Sequence, residues 1–509
     1  MSMFSDQTVN LAQLIVQAAE RSPRARFGTD TVSTTLIEAV DKARLLARQL
    51  AASGVRKGTT AAFVGVTSEH YLVLWMAAQL MGVRTALINP HYPQELLGEM
   101  LGDLRPDVVA YFDDTFVAPA GVEWRLVDAR GAWNGTIAVI PGELPEASEQ
   151  EAGDPAAWGL GCDGAEVASY MHTSGTSGRP KFCAQSHAYF LKLGRFIADS
   201  LGYTRFDTVY APLPMFHINP LGYGVVAGLT AGASVLGTRR FSVAGFWDTV
   251  KRIGATAVVL HATPMKMLLK DTTPADSVGH TIRTVFFGSA EFLERFDIPM
   301  GALAYGSTEA GGLCHVWHVR SGDREMAPEG ATHYAGKPRF DVEAMVSEEG
   351  EILVRERAPH TLFSGYLRDG TIDPCVDAHG WFHTGDRGRL DELGNLVFVE
   401  RMSESIRVNG EYVPIDFVER MLESHAGLSE FAIWSRPDAM SGQRVVLWVA
   451  DSKPDIPRTT AAIARLPKIM RPVEIVGIER LPRDTGVNKV QRRRLMSEPV
   501  LWRHAVAVA

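Results

Sequence analysis

Several things are scarce in this 509-residue chain, and each scarcity excludes a class of protein. There are only four cysteines, at 162, 183, 314 and 375, with no C-x-x-C pair. That spacing argues against a disulfide framework or a cysteine-built metal site and fits a reducing cytoplasmic setting. Long apolar runs are missing too. The longest, Tyr71–Val83, is interrupted by Gln79 and falls short of the roughly 20 residues a membrane span needs, so it reads as a buried helix. The opening residues Met1–Asp6 carry neither a basic stretch nor an apolar core, which predicts no signal peptide. Basic charge is in deficit: the formal net charge is −8, so a general nucleic-acid binder is disfavoured. The hydrophobic fraction of 46% and charged fraction of 22% are ordinary for a globular protein, and the length allows two or three domains.

What is present is organised around Thr173-Ser174-Gly175-Thr176-Ser177-Gly178-Arg179-Pro180-Lys181. Val167–Met171 before it reads as a strand end, and an amphipathic run from His187 reads as a helix. Glycines let backbone N–H groups turn toward an anion, hydroxyls add donors, and Lys181 adds positive charge. This is the chemistry of a phosphate-gripping loop. It is not the Walker pattern, because only two residues separate its glycines and Arg179-Pro180 precedes the lysine.

Short apolar strands alternate with helical stretches on both sides of the loop. Thr60–Val66, Val83–Pro90 and Asp107–Phe112 read as strands, and the stretches from Thr34, Ser68 and Pro93 as helices. Such alternation predicts an α/β fold with a parallel sheet. Residues 118–166 show weak periodicity and read as an irregular connection. After the loop, Val209–Pro220 ends in Pro214-Met215-Phe216-His217, a helix is expected over Leu221–Ala231, and Thr284–Phe287 leads into Gly288-Ser289-Ala290. Strand ends that open into small residues are where α/β sheets place ligands. Tyr305-Gly306-Ser307-Thr308-Glu309 sets an aromatic, two hydroxyls and a carboxylate within five residues: Tyr305 could stack on a base, Thr308 bond a phosphate and Glu309 hold Mg²⁺. From about residue 330 the pattern becomes antiparallel β, with Thr384-Gly385-Asp386 inside it. A small βαβ-like C-terminal unit follows Arg401, and near its end Lys489 sits on a glycine-containing turn before a basic helix. Taken singly, His217 reads best as an ordinary histidine and Asp386 as a turn residue, while Lys489 reads as either a mobile catalytic cation or part of a solvated basic tail.

Together and in this order, the segments resemble the adenylate-forming superfamily of acyl-CoA synthetases, adenylation domains and luciferases, over roughly residues 10–500. The resemblance implies a large N-terminal domain of αβ layers (1–402) with a small β-barrel-like subdomain, and a mobile α+β lid (403–509). It implies attack of a carboxylate on ATP with Mg²⁺, giving an acyl-adenylate and pyrophosphate, then transfer to the thiol of CoA. A carrier-protein phosphopantetheine or an amine is the alternative acceptor. By the same resemblance, Thr173, Ser174, Gly175, Thr176, Ser177, Gly178 and Lys181 hold the β- and γ-phosphates, Thr308 meets the α-phosphate, and Glu309 ligates the metal. Gly288, Ser289, Ala290 and Tyr305, with Gly306 and Ser307 in the same motif, enclose the nucleotide. Asp386 and Arg401 hold the ribose, Lys489 bridges carboxylate and α-phosphate, and His217 stands between the acid pocket and the thiol channel. The pocket draws on His217–Tyr223, His261–Met265, Gly288 and Gly311–His315. Three departures stand out: Phe182 replaces the usual glycine after the loop lysine, Ser403 occupies the hinge, and the stretch from Gly288 to Tyr305 is short.

Overall fold

The computed structural model of the chain describes residues 8–111, 125–126, 136–139, 153–174, 180–323, 333–401, 406–409, 411–413, 415–451, 454–482, 490 and 492–506. Two large sheets carry the fold. In the first, the parallel strands Arg26–Thr29, Ser234–Gly237, Thr208–Ala211, Ala257–Val259, Thr284–Phe286 and Met300–Tyr305 lie side by side in that order. In the second, Val108–Tyr111, Thr60–Val64, Arg84–Ile88 and Val167–Ser174 form the parallel centre. Parallel strands are buried on both faces, and most of the residues here are buried and apolar. Helices cover them. Glu69–Met81 is buried nearly all round, is capped by the Ser68 hydroxyl and ends at Gly82 in the left-handed region (φ 70°). Leu36–Ala52 begins with a capping box between Thr35 and Glu38.

Beyond Met300–Tyr305 the first sheet turns antiparallel, through His315–Arg320 and His333–Pro338 into the strands Leu396–Arg401, Phe382–Leu390, Glu351–Glu356 and Val342–Val346. These enclose a separate apolar cluster around Ile352, Val354, Phe363 and Leu396. The C-terminal segment forms a six-stranded sheet with the helices Ile415–Ala426 and Ile456–Ala464. Among the described residues only one of its strand pairs, Gly442–Val449 with Glu474–Ile478, is parallel, so it is less βαβ-like than its sequence suggests. The expected α/β class, with β-rich and C-terminal subsections, is the observed one.

Four local expectations are corrected. The expected strand end at Val167–Met171 and the helix from His187 are both present, but the stretch between them is not all loop. Pro180–Ser186 is an antiparallel strand paired with Val167–Ser174, so the loop is the tip of a hairpin, and the helix His187–Ser200 starts only afterwards. Phe182 is therefore a strand residue, buried beside Tyr170 and Ala184, which gives its side chain an apolar site that a loop position would lack. The connection over 118–166 contains the strands Arg125–Leu126 and Thr136–Val139 and a 3-10 helix Pro155–Gly161. The helix expected from Leu221 begins as a π-helix, Asn219–Val226, whose glycines permit contact with its neighbours: a Cβ on Gly224 would lie 2.6 Å from that of Ala211. The basic helix after Lys489 is a short 3-10 turn, Arg492–Ser497.

One buried ion pair ties the parallel region to the antiparallel one. Arg339 is 2% exposed and forms a two-pronged pair with Asp341 (2.9 and 2.7 Å), while its other nitrogen donates to the carbonyls of Gly311 and Leu313 at 3.0 Å each. Removing one partner of such a pair strands the other charge, which typically costs about 3–5 kcal/mol, whereas an apolar pair of similar volume is often tolerated. Arg339→Ala is therefore expected to lower the thermal midpoint sharply, and Arg339→Met with Asp341→Leu to recover only the part due to the stranded Asp341 charge, because the Gly311 and Leu313 carbonyls still lack their donor. Equal losses in the two variants would contradict this account.

Five histidines, three buried and two half-buried, share a lowered pKa. Burial pushes His172, His187 and His261 down to about 4, and His217 and His315 down to about 3. The unfolded chain, with ordinary imidazoles near about 6.5, binds more protons than the folded one between about pH 4 and 6.5, so stability rises with pH across that window. His383 beside Glu351 and the half-buried Glu411 are raised and act in the opposite sense, two groups against five. Urea unfolding should show a lower midpoint near about pH 5 than about pH 7; an equal or higher midpoint at the acid pH would contradict neutral burial of these rings.

Candidate active site

The two sheets bring their strand ends together. In the first, Thr208–Ala211, Ala257–Val259, Thr284–Phe286 and Met300–Tyr305 run in one direction. The Pro212–Pro220 segment, His261, Gly288-Ser289-Ala290 and the Tyr305–Cys314 turn therefore leave the sheet at the same edge. In the second, Val167–Ser174 ends at the hairpin loop. The join is a hydrogen bond: Thr173 Oγ1 donates to Glu309 Oε1 at 3.0 Å. Tyr366 O–H donates to the same oxygen at 3.0 Å. Both bonds land on Oε1 of a carboxylate only 5% exposed. Lys181, paired with Thr173 across the hairpin, holds its Nζ 4.9 Å from the centre of the Tyr366 ring. Strand pairing thus sets a cation, a hydroxyl and a carboxylate next to one another from positions far apart in sequence.

Thr308 lies beside Glu309 with its carbonyl accepting from Tyr189 O–H at 2.9 Å. Ser307 caps the start of this turn, its Oγ accepting from Ala310 N. Gly306 is required by close approach, since a Cβ there would meet the Gly312 oxygen and Leu313 Cα at 2.6 Å. Tyr305 is buried, stacks on Phe398 with centroids 5.5 Å apart, and donates to Asp386 Oδ2 at 2.9 Å. Asp386 and Arg401 are paired residues of one antiparallel ladder. Gly288 follows the strand Thr284–Phe286, and Ser289 caps the helix Ala290–Arg295 through Phe292 N. Its own N–H faces Met265 Sδ at 3.2 Å. Gly175, Thr176, Ser177, Gly178, Ser403 and Lys489 lie outside the described residues, as do the side chains of Ser174 and Arg401.

His217 is half-buried, its ring 4.7 Å from Phe216 and 6.4 Å from His172. Burial first, then the charges of His172, His261 and Arg407, push its pKa down to about 3, so its imidazole is neutral. Arg407 belongs to the C-terminal sheet, which reaches this edge of the site. Glu411 on the next strand is also held there, its carboxyl raised by burial while facing His91 and bonded to Asn89. The sequence-predicted residues within the described part therefore surround one edge. The reading of the sequence reached Tyr223 only as the end of the pocket segment His217–Tyr223 and did not single out Tyr189, Tyr366 or Arg339, which sit in ordinary-looking segments; Gly365 before Tyr366, at φ 139° and crowded by Asp373, marks an unusual place.

A family model described as AMP-binding enzyme matches residues 15–367. The 2-succinylbenzoate–CoA ligase of Listeria monocytogenes serotype 4b (strain F2365) is 26% identical over 477 residues, spanning 91% of this chain and 93% of that one. Among solved structures, o-succinylbenzoate CoA synthetase of Bacillus subtilis with a product analogue superposes with a TM-score of 0.77 at 24% identity, covering 96% and 99% of the two chains. A malonyl-CoA ligase bound to methylmalonyl-CoA and AMP gives 0.70 at 25%, covering 93% and 100%. The matched family segment spans well over half of the chain and contains the hairpin loop, the Glu309 turn and Tyr366, so this protein belongs to the AMP-binding enzyme family.

Proposed function

We propose that this chain is an AMP-forming acid–thiol ligase that activates a carboxylic acid with ATP and passes it to CoA. The carboxylate oxygen attacks the α-phosphorus, the bond to pyrophosphate breaks, and an acyl-adenylate forms. The CoA sulfur then attacks the acyl carbon and AMP leaves. The observation that carries the reading is the Thr173–Glu309–Tyr366 cluster beside Lys181. An enzyme of this kind must bring two anions together, and a cation next to a fixed carboxylate at a hydroxyl-rich loop provides for that. The names of the relatives, CoA ligases over nearly their whole length, support the same acceptor.

Within this reading the residues divide the work. Both hydrogen bonds to Glu309 fall on Oε1, which leaves Oε2 to a divalent cation; Mg²⁺ held there would neutralise phosphate charge. The loop from Thr173 to Lys181 grips the β- and γ-phosphates. Thr308 meets the α-phosphate, Asp386 and Arg401 hold the ribose, and Gly288, Ser289, Ala290 and Tyr305 border the base. His217, kept neutral, separates the acid from the thiol. Residues 403–509 act as the lid that delivers Lys489 for the first step. Among the described residues no helix is long and apolar enough to cross a membrane, and the four cysteines are free, in keeping with a cytoplasmic enzyme.

Acid-dependent exchange of pyrophosphate into ATP tests the assignments. Losing one preorganised charge contact typically costs about 10²–10³ in rate. Glu309→Gln and Lys489→Ala should each lose at least about 100-fold in exchange, while Lys489→Ala still converts supplied acyl-adenylate to acyl-CoA. Full exchange by either variant would overturn the role given to that residue.

A further inference from the structure

Lys181 and Glu309 carry opposite charges at one site, yet the ammonium rests over the Tyr366 ring, 4.9 Å from its centre, while the carboxylate takes its hydrogen bonds from Thr173 and Tyr366. A flexible lysine beside a carboxylate ordinarily closes into an ion pair, because that attraction at contact exceeds the pull of a ring face. One side chain meets both charges here. The Tyr366 O–H donates to Glu309 Oε1 at 3.0 Å, and its ring carries Lys181. Burial first, and then the Glu309 charge, push this phenol well above its ordinary range, so it stays a donor.

Tyr366 is itself fixed from several directions. Its strand, Gly365–Arg368, pairs antiparallel with Pro180–Ser186 and sets Tyr366 opposite Cys183, on the strand that carries Lys181. A Cβ on Gly365 would lie 2.1 Å from the Asp373 carbonyl oxygen, so the backbone passes here only because that side chain is absent. Phe363 meets the Tyr366 ring edge-on with centroids 5.0 Å apart and is braced in turn by Phe382 at 5.2 Å. The N–H of the same Phe363 donates to the Glu309 carbonyl at 3.1 Å. The ring therefore keeps a constant place relative to Glu309. The ammonium is also open to a ligand. Lys181 and Tyr366 line a cavity of about 290 Å³ that is bordered by Arg105 and Arg368 as well as by Asp103 and Asp369.

We propose that Tyr366 is a positioning residue that keeps Lys181 and Glu309 from neutralising each other. Its ring seats the ammonium and its hydroxyl anchors one carboxylate oxygen, so both charges stay available, the lysine to a polyphosphate anion and the carboxylate to a divalent cation. The proposal rests on the ligase reading above for the identity of that anion. Phenylalanine supplies the ring without the hydroxyl and leucine supplies neither, so the two jobs separate by substitution.

Calorimetry of the full chain with pyrophosphate as the probe, first in chelator and then with Mg²⁺, tests this without turnover. The proteins are wild type, Tyr366→Phe, Tyr366→Leu, Glu309→Gln, and Tyr366→Leu combined with Glu309→Gln. In chelator, Tyr366→Leu should bind pyrophosphate at least about 10-fold more weakly than wild type, because Lys181 turns to Glu309. Tyr366→Phe, which keeps the ring, should stay within about 3-fold of wild type. Its gain in affinity on adding Mg²⁺ should be smaller than the wild-type gain by at least about 3-fold, since Glu309 is then held by Thr173 alone. In chelator, Glu309→Gln should improve binding at least about 5-fold more in the Tyr366→Leu background than in wild type, because only there does it free the lysine from an ion pair. A merely structural role for Tyr366 gives no such rescue. A thermal melt establishes folding, and Tyr366→Met replaces the leucine variant if that one is unfolded. Equal gains from Glu309→Gln in the two backgrounds overturn the proposal alone, as does wild-type affinity in Tyr366→Leu. So does a phenylalanine variant as weak as the leucine one, or one with the full Mg²⁺ gain. Wild type that binds ATP with Mg²⁺ but not pyrophosphate also overturns the proposal alone, whereas wild type that binds neither overturns the ligase reading with it.

Discussion

Buried backbone carbonyls must find donors, and the turn from Tyr305 to Cys314 meets that requirement in a way that organises the whole site. Tyr189 O–H reaches the Thr308 carbonyl, Phe363 N that of Glu309, Arg339 those of Gly311 and Leu313, and Tyr223 O–H that of Gly312. Cys314 N closes the turn onto the Tyr305 carbonyl. The donors come from the helix His187–Ser200, the π-helix, the segment before Gly365–Arg368 and the connection after His333–Pro338. A turn tied to four distant elements cannot drift, so the Glu309 side chain it presents has a fixed address.

From that address the electrostatics follow. Glu309 sits where the end of one sheet meets the hairpin tip of the other, bonded by Thr173 and Tyr366 on one oxygen. Lys181 stands over the Tyr366 ring rather than on the carboxylate itself. A carboxylate held by neutral hydroxyls and a lysine held by a ring face both keep charge in reserve for a ligand. The neutral state of His172, His217 and His261 fits the same economy: the acid side of the site carries imidazoles without positive charge, and the C-terminal sheet brings Arg407 toward them.

Much of this was legible in the residues. Alternating strand and helix patterns foretold the parallel sheets, and the small-residue strand end at Gly288 and the Tyr305–Glu309 run did fall at the same sheet edge. The hairpin was not legible, because Pro180–Ser186 mixes a proline, a lysine and polar residues and lacks the apolar alternation that marks a strand; its pairing with Val167–Ser174 is a tertiary fact. The π-helix was hidden for a similar reason: its residues read as an ordinary helix, and only contact of Gly222 and Gly224 with Leu193 and Ala211 distinguishes it. Arg339 and Asp341 carry no local mark of burial in the sequence. Nothing local to Lys337-Pro338-Arg339-Phe340-Asp341 says that the arginine points inward while Phe340 is left 75% exposed. Tyr223 was legible only as the end of the segment His217–Tyr223 and Tyr189 not at all, because their hydroxyl partners are far away in sequence.

The central claim is that the carboxylate of the acid becomes bonded to the α-phosphorus of ATP before the thiol attacks. Oxygen labelling tests it most directly. With the acid's carboxylate enriched in ¹⁸O, and with ATP, Mg²⁺ and CoA, the account predicts that one labelled oxygen appears in the phosphate of the released AMP and none in pyrophosphate, because the acyl–oxygen bond is the one that breaks in the second step. Label in pyrophosphate or inorganic phosphate, or acyl-CoA formed with unlabelled AMP, would contradict it.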